Sequence, residues 1–309
     1  MDPGFVPRPE KCRDKDGGIL SDEREVIERW KQHYEEHLNG AEAENQDGGE
    51  DFIGTADEGD VPAPTTDEVK DATKRLKNLK AADKDGIGAK GVICLIYKKV
   101  ASRTVKTIER SQFSTQPTKC FPRSSFNRLS PLANRFVGSY QAGFVKGRST
   151  TDQIFTLRQI LQKCREWQVP THHLFIDFNT AYDTIDRGEL WKIVHEHNFP
   201  KKLTRLIKAT VNSTRCCVKI SGALLDPFET RKGLRQGDGN SCLLFNIALE
   251  GVIRRAGFNM RGTIFSKTSQ FICYADDEDI VGRRFDAVAE QYTVLKYVED
   301  NVSVGWLWH

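Results

Sequence analysis

The feature that most restricts this chain is an acidic turn in an apolar setting. Phe271 to Tyr274 and Asp279 to Val281 read as two strands around a turn at Ala275-Asp276-Asp277, since short β-favouring runs bounded by turn formers make hairpins. Upstream, Asp177 ends the short apolar strand Leu174-Phe175-Ile176. Carboxylates at the rim of a buried sheet are costly unless their charge is compensated. A hard divalent cation is the usual compensation, and Mg2+ is typically held by one or two carboxylates plus substrate phosphates. Two such ions about 3.5–4 Å apart activate an attacking hydroxyl and stabilise a leaving group together. For the turn taken alone a structural reading stays open, because Asp is among the favoured turn residues.

Around this hairpin the pattern mixes helices and strands without strict alternation. Val26, Ile27, Trp30, Tyr34 and Leu38 recur at helical spacing and predict a helix over 22–38. Residues 40–64 are rich in Gly, Asp, Glu, Ala and Pro and read as a disordered linker. Thr65-x-x-Glu68 forms a capping box that opens a new helix, with Val69, Ala72, Leu76 and Leu79 on its apolar side. An apolar stretch spans Val92 to Tyr97, and residues 100–127 show no clear period of either kind. Helical spacing returns through Ile154, Leu157 and Leu161, and further helices are expected over Glu189–His197, Lys201–Val211 and Cys242–Arg255. Cys216 to Ser221 alternates like a strand, and Gly233 to Gly239 is a glycine-rich turn. The fold expected is α+β, with helices on one face of an antiparallel sheet.

Charge and cysteine usage narrow the setting. The first 60 residues hold 18 acidic and 7 basic side chains, whereas the whole chain is at +3, so a basic body follows an acidic leader. That balance suits a polyanion partner. The eight cysteines include no Cys-x-x-Cys pair, which argues against a zinc module or a disulfide framework. His195-x-His197 does not share a helix face and reads as surface. No apolar run approaches the ~20 residues of a membrane helix, and the N-terminus lacks a secretory pattern. The expectation is an intracellular protein of the cytoplasm or nucleus, with reduced thiols and no membrane.

Three further segments stand in series with the acidic turn: Gln141-Ala142-Gly143-Phe144 with Gly147-Arg148-Ser149-Thr150-Thr151-Asp152-Gln153, then Phe175-Ile176-Asp177-Phe178-Asn179-Thr180-Ala181-Tyr182-Asp183, then Gly233-Leu234-Arg235-Gln236-Gly237-Asp238. Together they closely resemble the reverse transcriptases of non-LTR (LINE-type) retrotransposons, from about Leu129 to about Tyr292. The resemblance implies a right-hand polymerase palm with partial fingers, acting as an RNA-directed DNA polymerase on an RNA template, a DNA primer and dNTPs. It divides the chain into an acidic connector (1–64), a fingers-like region (65–165), the palm (166–292) and an atypical end (293–309). It makes Asp177 and Asp276 the main ligands of two Mg2+ ions (Mn2+ as substitute), with Asp277 as second acid and the Phe178 carbonyl completing the sphere. Tyr182 becomes the aromatic that closes against the sugar 2′ position; a ring simply packed in the palm is the other reading. Gln236 and Gly237 would lie under the incoming nucleotide and template, unless the segment is only a turn and helix cap. Arg148 and Lys146 would meet phosphate oxygens, or for Lys146 solvent.

The chain also departs from that family. The fingers motif with an Asn-Tyr-Arg core is replaced by 100–127, and the helical thumb is missing after about Leu295. Asn240 stands where an apolar residue is usual, and Glu278 where Met, Ile or Thr is expected. A third acid beside two others is expected to raise one carboxylate's pKa. An inactive relict, retaining a palm-like fold or only nucleic-acid binding, is the alternative these departures suggest.

Overall fold

A computed structural model describes residues 12–39, 62, 65–68, 70, 90–97, 108–113, 120–212, 215–220, 223–224, 226–235, 238–258, 263–267, 269–302 and 307–308. In chain order, β1 (Cys12–Arg13) and β2 (Ile19–Leu20) precede α1 (Glu23–Asn39); β3 (Lys90–Tyr97) and β4 (Ile108–Phe113) lead to α2 (Cys120–Phe136) and α3 (Thr150–Glu166). β5 (His172–Asn179) runs into the single turn α4 (Ala181–Thr184), then α5 (Arg187–Glu196) and α6 (Lys201–Asn212). β6 (Arg215–Ile220), β7 (Ala223–Leu224) and β8 (Phe228–Glu229) precede α7 (Gly239–Arg255). The hairpin β9 (Ser269–Tyr274) and β10 (Asp277–Gly282), α8 (Phe285–Val302) and β11 (Leu307–Trp308) follow.

Beside the two-stranded pair β1–β2, two larger sheets organise the described elements. The one carrying the acidic turn is antiparallel, in the order β11-β5-β10-β9. Its inner face contributes Ile176, Phe178, Phe271, Cys273 and Ile280 to the main core, where α7 lies. Asn240, Ser241 and Leu243 through Ile253 of α7 are all buried, as expected of a helix apolar around most of its girth. Asp238 caps it by accepting from the Asn240 N–H, and Arg254 and Arg255 complement its C-terminal dipole. The second sheet runs β4-β3-β6-β7, with β3 parallel to β6 and β8 also on β6.

Several expectations change. Ile108–Phe113, inside the stretch without a pattern of its own, is a strand because it pairs antiparallel with Lys90–Tyr97. Strand formation depends on the neighbour as much as on local sequence. The helix α2 begins at Cys120, inside the same stretch read as having no clear period. Of the expected row Ile154, Leu157 and Leu161, only Leu157 is partly buried; the buried residues of α3 are Ile160 and Cys164, since the helix rests on Ile264, Ile272 and Val281 across the outer side of the β9–β10 hairpin. The helix of the acidic leader is anchored, too: Val26, Trp30, Tyr34 and Leu38 are buried with Cys216 and Phe228. The Asn39 side chain bridges the Glu229 carbonyl and the Arg231 N–H.

The Thr65–Glu68 box forms as expected, each residue's side chain accepting from the other's backbone N–H at 3.2 and 2.8 Å. Its helix beyond Lys70, and most of the 40–64 linker, lie outside the described residues. Among the described residues no helix is long and apolar enough to cross a membrane. Cys12, Cys164, Cys216, Cys242 and Cys273 are free thiols.

Candidate active site

Strand register gathers the acids. Asp277 faces Asp177 on β5 and Tyr274 on β9, and directly opposed residues of an antiparallel pair project to the same side of the sheet. Both aspartates are exposed. Asp276 sits in the turn between Tyr274 and Asp277, half-buried, and its carboxyl is raised above the ordinary range first by burial and then by the negative charges of Asp277 and Asp177. The three acids therefore share one electrostatic site. Asp277 proves to be the first residue of its strand rather than part of the turn, because its register partners lie on both sides.

Glu278 does not crowd this cluster; that expectation is corrected. Side chains alternate across a strand, so Glu278 points to the opposite face, level with Ile176 and Cys273. Burial alone pushes its carboxyl up to about 8, and neither carboxylate oxygen has a hydrogen-bond partner among the described residues.

The turn is held in an unusual shape. Ala275 has φ +58, a left-handed conformation that costs a non-glycine residue about 1–3 kcal/mol and persists only where the surroundings enforce it. The segment Tyr140–Gly143 supplies the enforcement. Gln141 is buried; its Nε2 donates to the Ala275 carbonyl at 3.0 Å, and its Oε1 accepts from the Ala275 and Gly143 N–H groups, both at 2.8 Å. Gln153 donates to the Tyr140 and Cys273 carbonyls. Backbone bonds from Ala142 to Cys273 and from Cys273 to Tyr140 complete the bridge. A side chain on Gly143 would meet the Ala275 nitrogen at 2.1 Å, so only glycine lets the two backbones lie this close. This segment was legible as a motif, but its grip on the turn was not.

Arg148 belongs to the same device. Its Nη1 donates to the Gly138 and Gln141 carbonyls, which ties the loop together, while Lys146 is exposed. Glu250 of α7 anchors the far end, accepting from the Gly138 N–H, the Tyr140 hydroxyl and Arg254 Nε.

On the other flank, Tyr182 stacks on Phe245 with ring centroids 4.8 Å apart. Its hydroxyl is held above the ordinary tyrosine range by burial, then by Cys242 and Asp276. The ring is thus packed against the core, with its hydroxyl beside Cys242 and within electrostatic reach of Asp276. The carbonyl of Tyr182 accepts from Leu234, and that of Ile185 from Gly233, which draws the glycine-rich loop against the segment after Asp177. Gly233 has φ +82, and a side chain there would strike the Asp183 carbonyl. Gln236 and Gly237 lie outside the described residues. Asn240, unusual on sequence grounds, is buried and donates to Ser125 of α2 at 2.8 Å. Phe178 buries its side chain in the main core.

Sequence reasoning also missed Arg187. This buried guanidinium donates to the carbonyls of Gly233, Thr230 and Lys232 and to the Thr230 hydroxyl, at 2.6–3.1 Å. Replacing it with Met strands those acceptors; since an unsatisfied buried polar group costs roughly 1–3 kcal/mol, Arg187→Met is expected to lower stability by about 3 kcal/mol in urea denaturation. Arg187→Lys should recover only part, because one ammonium cannot span four acceptors.

The donors fit a hard divalent cation: all are carboxylate oxygens, and their mutual repulsion is what a cation relieves. Among the described residues no three His, Cys, Asp or Glu side chains come together closely enough to hold a metal ion by themselves.

A profile of the family described as reverse transcriptase (RNA-dependent DNA polymerase) matches residues 115–297, more than half of the chain. The chain belongs to this family. The matched region begins shortly before α2 and ends within α8, so the reverse-transcriptase segment contains Asp177, Asp276 and Asp277. An uncharacterized 149 kDa protein of transposon TX1 from Xenopus laevis is 24% identical over 197 residues, which is 63% of this chain and 15% of that protein. The chain thus spans about a seventh of that relative's length. Among solved structures, apo telomerase from Candida tropicalis lacking its C-terminal domain aligns with TM-score 0.52 at 13% identity, over 72% of this chain and 48% of that one. Telomerase from Candida albicans aligns with TM-score 0.51 at 11% identity, over 70% and 40%. These likenesses show the fold, the α+β palm of a polymerase, in agreement with the sequence expectation.

Proposed function

We propose that this chain is the polymerising domain of a non-LTR retrotransposon reverse transcriptase. In this reading it extends a DNA primer on an RNA template with dNTPs inside the cell, using two Mg2+ ions. The observation that carries it is the register of Asp277 against Asp177 with Asp276 in the adjoining turn. The transposon relative and the family profile support the same assignment. Asp177 and Asp276 would be the main metal ligands, with Asp277 as the second acid and the Phe178 carbonyl completing the sphere. The bound metals would lower the pKa of the primer hydroxyl and neutralise the charge developing on the leaving pyrophosphate. Tyr182 would wall the sugar pocket, its ring fixed by Phe245, and Gln236, Gly237, Lys146 and Arg148 would lie along the nucleotide and template path.

The test is primer extension on an RNA template with dNTPs and Mg2+. The wild-type chain should give product, and Asp276→Asn or Asp177→Asn should reduce it at least about 100-fold, the scale of losing electrostatic stabilisation at the reacting centre. Asp276→Asn should leave stability equal or higher, because burial and two like charges oppose the native carboxylate. No Asp276-dependent product would overturn the proposal. A palm that only binds nucleic acid is the second reading, favoured by the basic body that follows the acidic leader. It expects salt-dependent RNA binding that needs no metal and survives Asp177→Ala.

A further inference from the structure

The catalytic turn is shaped by a side chain that touches no reacting atom. A hairpin turn with Ala275 in the left-handed region has an N–H and a carbonyl facing sideways, and the Gln141 carboxamide meets both at once. An amide suits this task because it offers a donor and an acceptor in one plane, as a peptide edge does. Its oxygen accepts two N–H groups and so couples Ala275 to Gly143.

We propose that Gln141 is a positioning residue for polymerisation: by docking on both backbone groups of Ala275 it holds Asp276 and Asp277 in register with Asp177. This rests on the polymerase reading for its catalytic consequence, but not for its geometry. Gln141 is itself fixed. Its own carbonyl accepts from Arg148, and its neighbours Tyr140 and Ala142 exchange backbone bonds with Cys273. Gln153 adds a second brace on the Tyr140 and Cys273 carbonyls. Gly143 leaves no slack on the facing side, since its backbone is in contact with Ala275 and its carbonyl accepts from Asn246 at 2.8 Å. The carboxamide therefore acts on the turn from a rigid base, and the turn carries one acid and is followed by the next.

The chemistry separates the useful substitutions. Methionine keeps the length and shape but loses all three bonds. Glutamate keeps both accepted bonds and, while ionised, opposes the Ala275 carbonyl; protonated, it regains a donor and mimics the amide.

The geometric claim is read by amide hydrogen exchange, which needs neither metal nor activity. Gln141→Met should lose protection at Ala275 and Gly143 by at least about tenfold while the α7 amides keep theirs; unchanged protection at Ala275 overturns the clamp. The functional claim is read by Mn2+ binding (paramagnetic resonance, Mn2+ as the only added metal) and by extension kinetics. Gln141→Met should bind Mn2+ at least tenfold more weakly and lower kcat with KM for dNTP little changed. For Gln141→Glu, activity relative to wild type should rise as pH falls from 8 to 6, which a merely structural role would not produce. A flat ratio, or a folded Gln141→Met with wild-type Mn2+ affinity and kcat, overturns the positioning role. A wild type that neither binds Mn2+ nor extends a primer overturns the polymerase reading and this catalytic role together, leaving the exchange result to judge the clamp.

Discussion

Glu278→Met should raise stability by several kcal/mol at pH 8 and by little at pH 4. The wild-type carboxyl is buried, without a hydrogen-bond partner among the described residues, and pushed from 4.5 up to about 8. A folded-state pKa above the unfolded value means that the native state holds the proton more tightly. Stability is then fully present below about pH 4.5, falls as the unfolded carboxyl ionises, and levels off above about 8. At about 1.4 kcal/mol per pKa unit the whole loss is on the order of 3–5 kcal/mol. Methionine matches the volume, adds no buried charge, and faces Ile176 and Cys273. Thermal unfolding of both proteins from pH 4 to 9 checks this, with a gap that should open between about 4.5 and 8. A gap of constant size across that range would show that Glu278 ionises normally in the folded protein. Because Glu278 projects from the opposite face of the strand that bears Asp277, the same substitution tests whether its burial weakens the site: Mn2+ affinity should be equal or higher.

Gly143→Ala should cost about 2–4 kcal/mol, the range of overpacking and strained-backbone substitutions, and should abolish detectable extension. The new Cβ would lie 2.1 Å from the Ala275 nitrogen and 2.7 Å from its Cα, so backbone rather than a flexible side chain has to move. Neither partner yields readily. Gly143 is held by Gln141 and Asn246, and Ala275 by both ends of the Gln141 amide. Relief comes by pushing the turn outward, which carries Asp276 away from Asp177. A displacement of about 1 Å at a reacting centre lowers rates on the order of 100-fold. Gly147→Ala is the control: it also lies in the motif, with φ +82, but nothing stands within 4 Å of an added Cβ. Its cost should be backbone strain alone, roughly 1 kcal/mol, with extension largely kept. Urea denaturation and primer extension on both variants make the comparison.

How far the sequence reaches can be judged residue by residue. The helix over 23–39, the strand at His172–Asn179, the helix ending at Arg255 and the acidic hairpin all follow from apolar spacing within one segment. The carboxylates of the site were legible because they stand in short motifs with fixed order. Ile108–Phe113 was not legible, because what makes it a strand is Lys90–Tyr97 beside it. Nor was the burial of Ile160 and Cys164 in place of Ile154, because the rotation of a helix is set by the surface it meets.

By itself, the sequence determined the family and named Asp177, Asp276 and Asp277, since local pattern and motif order are written along the chain. Only the tertiary structure decided that Asp277 faces Asp177, that Glu278 turns away from them into the core, and that Gln141, Gly143 and Arg187 hold the loops around them. Those facts depend on strand register and on backbone groups distant in the chain, and a polar side chain does not reveal in advance which distant carbonyl or N–H it will satisfy.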